Sequence, residues 1–418
     1  MSLGRILIVS NGYAEDVGAA AVIRALPLRD IAVSVYPLVG LGQHFPSEVR
    51  LLDPRRDFPS GGFGLRGGWA SLREDLAHGM MRFWRAQRRT LCAQRGSVDL
   101  VVAVGDVYCL WMASLVGVPT VYLVAPKSEY IAPHTRLEVW VIRRLACEVF
   151  ARDDLTATAL VRRGIEAKHL GFWPMDALVF SGETFGVPLD RPIVTVLAGS
   201  KPPAFDNLVL LLRAASAAAA RSTPAPAVLV AWSPQLSTAR MREVVVAAGG
   251  VWADDRRFRF DAADVTVTTD HYADALRCAT VVLGMAGGAN EQAAGLGKPV
   301  VGFPGTGPQF TPRFLEEQQR LLGDALVATP TWQDAARALA DLLGDRRERE
   351  RRGRVGLHRL GGNGAAAAIA GRLLDRLGAA RLSARAASSS SPLTQTQPVS
   401  SGPGRPGAER APGGRGAR

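Results

Sequence analysis

Short, almost wholly apolar runs recur along the chain, and small-residue or amphipathic stretches fill the intervals between them. In the first half these runs are "RILIVS", "IAVSVYPLV", "DLVVAVG", "PTVYLVA" and "CEVFARD"; in the second they are "PIVTVLAG", "APAVLVAW", "VTVTTD", "ATVVLG" and "PVVGF". Runs of this length, rich in Val and Ile and lacking a polar face, predict strands covered on both sides of a parallel sheet. Helix-length segments sit between them, at Gly18 to Leu26, Tyr108 to Val116, Thr156 to Arg163 and Asn290 to Leu296. Strict strand and helix alternation predicts an α/β protein of two doubly wound, Rossmann-like parallel-sheet domains. The expected division is residues 1–180 and 190–345, with a linker at 179–192. A C-terminal helical segment follows at 346–380. From Ser383 onward Ser, Pro, Gly and Arg replace apolar residues, which predicts a disordered tail over 383–418.

Composition sharpens this in a few places. At 418 residues and 47% hydrophobic content the chain can build two cores. Cys92, Cys109, Cys147 and Cys278 show no CxxC spacing, which points to reduced thiols in a cytoplasmic protein rather than to a disulfide framework or a zinc site. The first strand begins at once, with no signal-peptide pattern before it. The longest apolar stretch is interrupted by Asp106, Gly117 and Pro119, so it reads as strand, helix, strand and not as a membrane span. A net charge of +12 suits an anionic partner. Nucleic acid is disfavoured, because acidic residues alternate with basic ones in "GDRRERERRGR" and no reading motif is present.

Candidate chemistry begins at "ATVVLGMAGGANEQAAGLGKPVVGFPG". Gly284, Gly287 and Gly288 lie where a strand turns into a helix, so backbone N–H groups can approach an anion at the helix N-terminus. Glu291, in the first helical turn, has two readings: a favourable charge at the positive end of the helix dipole, or an acceptor for a ribose diol beside the phosphate. Two further turns follow strands of the same domain: Gly199, Ser200 and Lys201 in "AGSKPP", and Gly305, Gly307 and Gln309 in "GTGPQF". With Asn290, these turns predict a nucleotide crevice at the carboxyl ends of the strands. Gln318, on the next helix, reads as a sugar contact or as a solvated amide.

Several motifs together resemble a known family. "GRILIVSNGYAEDVGAAAVIRAL", "DLVVAVGDVYCLWMASLVGVPTVYLVAPKSEY", "VFARDDLTATALVRRGIEAKHLGFWPMDAL" and "VLAGSKPP" resemble lipid-A-disaccharide synthases, which are GT-B glycosyltransferases. "FPSGGFGLRG" and "GTGPQFTPRFLEEQQRLLG" are closer to lipid-A-disaccharide-synthase-related proteins. The resemblance runs from Arg5 to Gly364. It implies transfer of an N-acetylglucosaminyl-type sugar from a UDP-sugar donor to a lipid-linked acceptor, with inversion and with neither metal nor cofactor. The cysteine usage points to the cytoplasm, and a lipid-linked acceptor favours a peripheral position on the inner face of the membrane. The synthases read Gly-Glu-x-Ser-Gly-Asp at the acceptor-side loop, where this chain has Ser10 to Asp16, so the acceptor stays open.

An attacking hydroxyl needs a general base. Asp106, at the end of a strand, is the first candidate, with capping of the following helix as its other reading; Glu15 and Asp16 are the second. The basic, aromatic segment with Phe63, Leu65, Trp69, Arg82, Phe83, Trp84, Arg85, Arg88 and Arg89 fits either an anionic membrane interface or ordinary inward packing. The rival functions are a UDP-N-acetylglucosamine 2-epimerase and a catalytically silent sugar-nucleotide or lipid binder.

Overall fold

Seven strands of the first half pair in the order β3-β2-β1-β4-β5-β6-β7 in a computed structural model that describes residues 4–56, 79–188, 190–307 and 310–389. They are β1 (Gly4–Ser10), β2 (Ile31–Pro37), β3 (Arg50–Leu51), β4 (Leu100–Gly105), β5 (Thr120–Val124), β6 (Glu148–Ala151) and β7 (Ala167–Lys168). Every pairing is parallel. β4 and β5 are buried along their whole length, as their uninterrupted apolar sequence requires. The order reverses between β1 and β4, so the loops after these two strands meet at a switch point.

The second sheet runs β10-β11-β12-β9-β8-β13-β14-β15. Its strands are β8 (Ile193–Leu197), β9 (Ala227–Ala231), β10 (Val251–Trp252), β11 (Arg257–Phe260), β12 (Ala263–Thr268), β13 (Val281–Gly284), β14 (Val300–Gly302) and β15 (Leu326–Ala328). At one edge β10 and β11 add two antiparallel pairings to this otherwise parallel sheet. The residues explain it: "RFRF" in β11 alternates exposed Arg with buried Phe, the pattern of a strand with one face in solvent. The remaining six strands are parallel, with a switch point between β8 and β13.

Residues through Arg381 form one compact unit. Its two sheets are joined twice. The linker is pinned by the buried carboxylate of Asp274, which accepts from Ser181 N and Oγ and from Gly182 N at 2.6–3.0 Å. The final helix, Ala365–Ser389, then returns to the first sheet, where Ile369, Leu373 and Leu377 share a core with Ile6, Ile8 and Val33. Asp176 caps the return, accepting from Gly364 N at 2.6 Å and Ala366 N at 2.7 Å. This helix continues to Ser389, so residues 383–389, expected as tail, are helical. Residues 390–418 lie outside the described residues, as do the glycine motif with Phe63, Leu65 and Trp69 and the third-loop residue Gln309.

Glu148 fixes the returning helix electrostatically. Its fully buried side chain takes Lys168 at 2.9 Å, Arg372 at 3.1 Å and Arg376 at 2.6 Å. Burial works to raise this carboxyl, but hydrogen bonds from Arg376, Lys168 and Arg372 outweigh it and hold it below its ordinary 4.5. The resulting stability is present above that ordinary value and is lost as pH falls through the lowered folded value. Glu148→Gln is expected to cost about 3 kcal/mol at neutral pH, the low end for breaking a buried pair because the three cations keep access to water. Urea unfolding at pH 7 and pH 3 checks this, with the difference from wild type shrinking at the lower pH.

Candidate functional site

The three turns singled out in the second domain meet. A Cβ on Gly199 would lie 3.4 Å from the Met285 carbonyl, one on Gly307 would strike Pro203, and one on Gly305 would strike Asn207 and Met285. Gly305 and Gly307 thus leave room for the neighbouring side chains, and Gly199 (φ +98°) and Gly307 (φ +89°) take a backbone conformation that favours glycine. Asn207, on the helix after β8, locks the third turn by accepting from Thr306 N at 2.8 Å and Thr306 Oγ1 at 3.0 Å. The turn after β13 is held from behind. Gln318 Nε2 donates to the carbonyls of Ala286 and Gly287, both at 3.1 Å, and its Oε1 accepts from Asn290 Nδ2 at 2.9 Å.

That lattice revises two expectations. Gln318 and Asn290 are buried; both ends of the Gln318 amide and Asn290 Nδ2 bond to the scaffold, whereas Asn290 Oδ1 has no partner among the described residues, so the two side chains shape the turn from within. What does face outward is Gly288, whose absent Cβ points into open space. It opens the Gly288–Gly295 helix, whose first N–H groups have no partner within the helix. Ser200 is exposed beside this cluster. Lys201 is half-buried with its Nζ 5.7 Å from the centre of the Tyr13 ring, and burial lowers its pKa. It has no carboxylate partner among the described residues.

Glu291 reaches across to the first domain. Its Oε2 accepts from Arg152 Nη2 at 2.7 Å. Arg152 follows β6 directly, in "FARDD", and its Nη1 donates to the Ala125 carbonyl at 2.9 Å. The pair is a contact that neither reading of Glu291 anticipated.

On the first domain's side, Asp106 caps the Val107–Ser114 helix: Oδ1 accepts from Cys109 N at 3.0 Å and also from Asn11 Nδ2 at 2.7 Å. The capping role is therefore real, and the half-buried carboxylate still lies at the switch point beside Asn11. Asn11 fits over Gly105, where any side chain would collide with it. Glu15 folds back against Gly12 at the start of its own helix, Tyr13–Arg24. Asp16 departs from expectation, because its side chain is wholly buried instead of facing a cleft. Ser10 Oγ donates to its Oδ1 at 2.5 Å, while Oδ2 has no partner among the described residues. Burial pushes this carboxyl up to about 7, against the Ser10 hydrogen bond and with the help of Glu15 repulsion.

Sequence reasoning passed over Arg152, Asn11, Tyr13 and Asn207 as contributors. One signal was available: Arg152 is a charge placed directly after an apolar strand, at the sheet end where ligands bind.

No protein-family model matches the chain, and no curated protein matches it. Solved structures do. MnaA of S. aureus, solved with UDP, is 14% identical with a TM-score of 0.58, over 89% of this chain and 96% of that one. The UDP-GlcNAc 2-epimerase from Neisseria meningitidis bound to UDP-GlcNAc is 13% identical with a TM-score of 0.54, over 89% of this chain and 100% of that one. A UDP-glucosyltransferase from Polygonum tinctorium is 11% identical with a TM-score of 0.56, over 90% of this chain and 98% of that one. At such identities the likeness is one of fold: two parallel-sheet α/β domains of the GT-B type with a helical C-terminal segment.

The Asp16 environment yields a pH prediction. A carboxyl raised from about 4 to about 7 contributes stability below the unfolded value, and that stability is lost as pH rises through the folded value. Relative to wild type, Asp16→Asn is expected to gain roughly 2–3 kcal/mol in urea unfolding between pH 5 and pH 8. A pH-independent difference would show that Asp16 is solvated.

Proposed function

We propose that the cleft binds a UDP-linked hexosamine and breaks its anomeric C1–O bond with UDP leaving. The observation that carries this reading is the meeting of the turns after β8, β13 and β14 around an outward-facing helix N-terminus. A departing diphosphate needs its charge met by N–H donors and a cation. The open start of the Gly288–Gly295 helix and the half-buried ammonium of Lys201 supply both. Gly199, Gly287 and Gly288 let the phosphates approach the backbone, and Glu291 receives the ribose.

Of the two reactions that begin with this cleavage, inversion at C2 of the same sugar is favoured by the solved neighbours, among which UDP-GlcNAc 2-epimerases recur. Such a reaction needs acid and base groups around one sugar, and Asp106 with Glu15 on the facing domain are the carboxylates for it.

Transfer to a lipid-linked acceptor is the second reading, favoured by a specific surface of the first domain. On the Arg136–Leu145 helix, Leu137 and Trp140 are 70% and 62% exposed, with Arg136, Arg143 and Arg144 exposed beside them. The basic, aromatic segment that fits either a membrane interface or inward packing adds less to this reading. Its described part packs Trp84 onto Trp111 with Arg88 over both rings. Among the described residues no helix is long and apolar enough to cross a membrane.

Incubation with UDP-GlcNAc alone separates the two. Formation of the C2 epimer, read by NMR, supports the isomerase; UDP release only when a lipid acceptor in anionic vesicles is added supports the transferase. Lys201→Met is expected to weaken UDP binding about tenfold, the scale of a charge-assisted hydrogen bond. Asp106→Asn is expected to slow turnover roughly 10²–10⁴-fold while UDP binding, read by calorimetry, persists. No UDP binding by the folded wild-type protein would end the proposal.

A further inference from the structure

Arg152 is almost wholly buried, and three contacts constrain it. Nη1 donates to the Ala125 carbonyl at 2.9 Å, the guanidinium lies 5.0 Å from the centre of the Phe172 ring, and Nη2 donates to Glu291 Oε2 at 2.7 Å. Its side chain is 5% exposed and that of Glu291 is 16% exposed. A guanidinium withdrawn this far from water is retained only when strongly paired. The first sheet therefore presents a fixed cation to a carboxylate on the second. That cation takes one oxygen of Glu291, whereas Oε1 accepts from no group among the described residues.

We infer that Arg152 is a positioning residue for nucleoside recognition: it holds the Glu291 carboxylate so that Oε1 accepts from a ribose hydroxyl. The inference rests on the proposed donor site and adds a part to it. A carboxylate on a helix start has several rotamers, and solvent competes for both oxygens. Clamping one oxygen to a buried guanidinium leaves the other at a set direction. The ribose contact also becomes dependent on the first domain, because Arg152 follows β6 and is oriented by the Ala125 carbonyl beyond β5. Neither domain alone would then discriminate ribose.

The test compares UDP with 2′-deoxy-UDP by calorimetry on wild type, Glu291→Gln, Arg152→Gln and Arg152→Lys in the full chain. Wild type is expected to prefer UDP about tenfold, the scale of a hydrogen bond to a charged group. In Arg152→Gln that preference is expected to fall to about twofold while 2′-deoxy-UDP binding stays within about twofold of wild type. Arg152→Lys, which keeps the charge but not the fork, is expected to retain a preference of about threefold and carries the test if the glutamine variant does not fold. A merely structural arginine would weaken both nucleotides equally, and that result overturns the positioning role. So does a tenfold preference that survives in both Arg152 variants. A wild-type protein that binds UDP without preferring it, with Glu291→Gln unchanged, removes Glu291 from the ribose and Arg152 with it. A wild-type protein that binds neither nucleotide overturns the donor site itself.

Discussion

A cation that leaves water must find its compensation inside the protein, and Arg152 finds it by spanning two domains. Much of the site's arrangement follows from that need. The guanidinium cannot relax back into solvent at low cost, so the end of β6 and the start of the Gly288–Gly295 helix are kept close. The aromatic face of Phe172 lies under it, and the chain then runs into Pro174, whose carbonyl accepts from Gln292 at 2.8 Å, one residue beyond Glu291. Tyr272 donates in turn to the other end of Gln292 at 2.8 Å. Polar groups with few alternatives are thereby linked in a row, and a change at one is felt by the next.

The sheets were legible because parallel strands covered on both faces must be apolar throughout, and "LVVAVG" or "VVLG" can hardly be read otherwise. The antiparallel edge was less so, since "RFRF" announces a half-exposed strand but not the direction in which it pairs. At the site, glycines were the readable part: a missing side chain at a strand-to-helix turn has few explanations. The amides were not. Gln318 and Asn290 are short polar side chains whose role depends on whether a partner stands opposite, and the partner is 28 residues away. Asp16 was misjudged for a related reason. Its position after a strand is that of a cleft residue, but one turn of helix rotates it inward toward Ser10 while Glu15 stays at the helix start.

Asp106 shows how one carboxylate can cap a helix and anchor a neighbouring loop at once. A cap needs one carboxylate oxygen, and here Oδ1 serves both the Cys109 N–H and the Asn11 amide. Holding a carboxylate through one oxygen is also the arrangement at Glu291, whose Oε2 accepts from Arg152. Anchoring of this kind limits how far a carboxylate can swing.

The double connection between the sheets carries a mechanical implication. The linker leaves the first domain pinned by Asp274, and the final helix comes back capped by Asp176 and gripped through Glu148. A body tethered at one point can swivel freely, whereas one tethered at two can turn only about the line that joins them. The Arg152–Glu291 pair attaches the sheets at a further place, so the facing walls are braced like a frame rather than hung like a door.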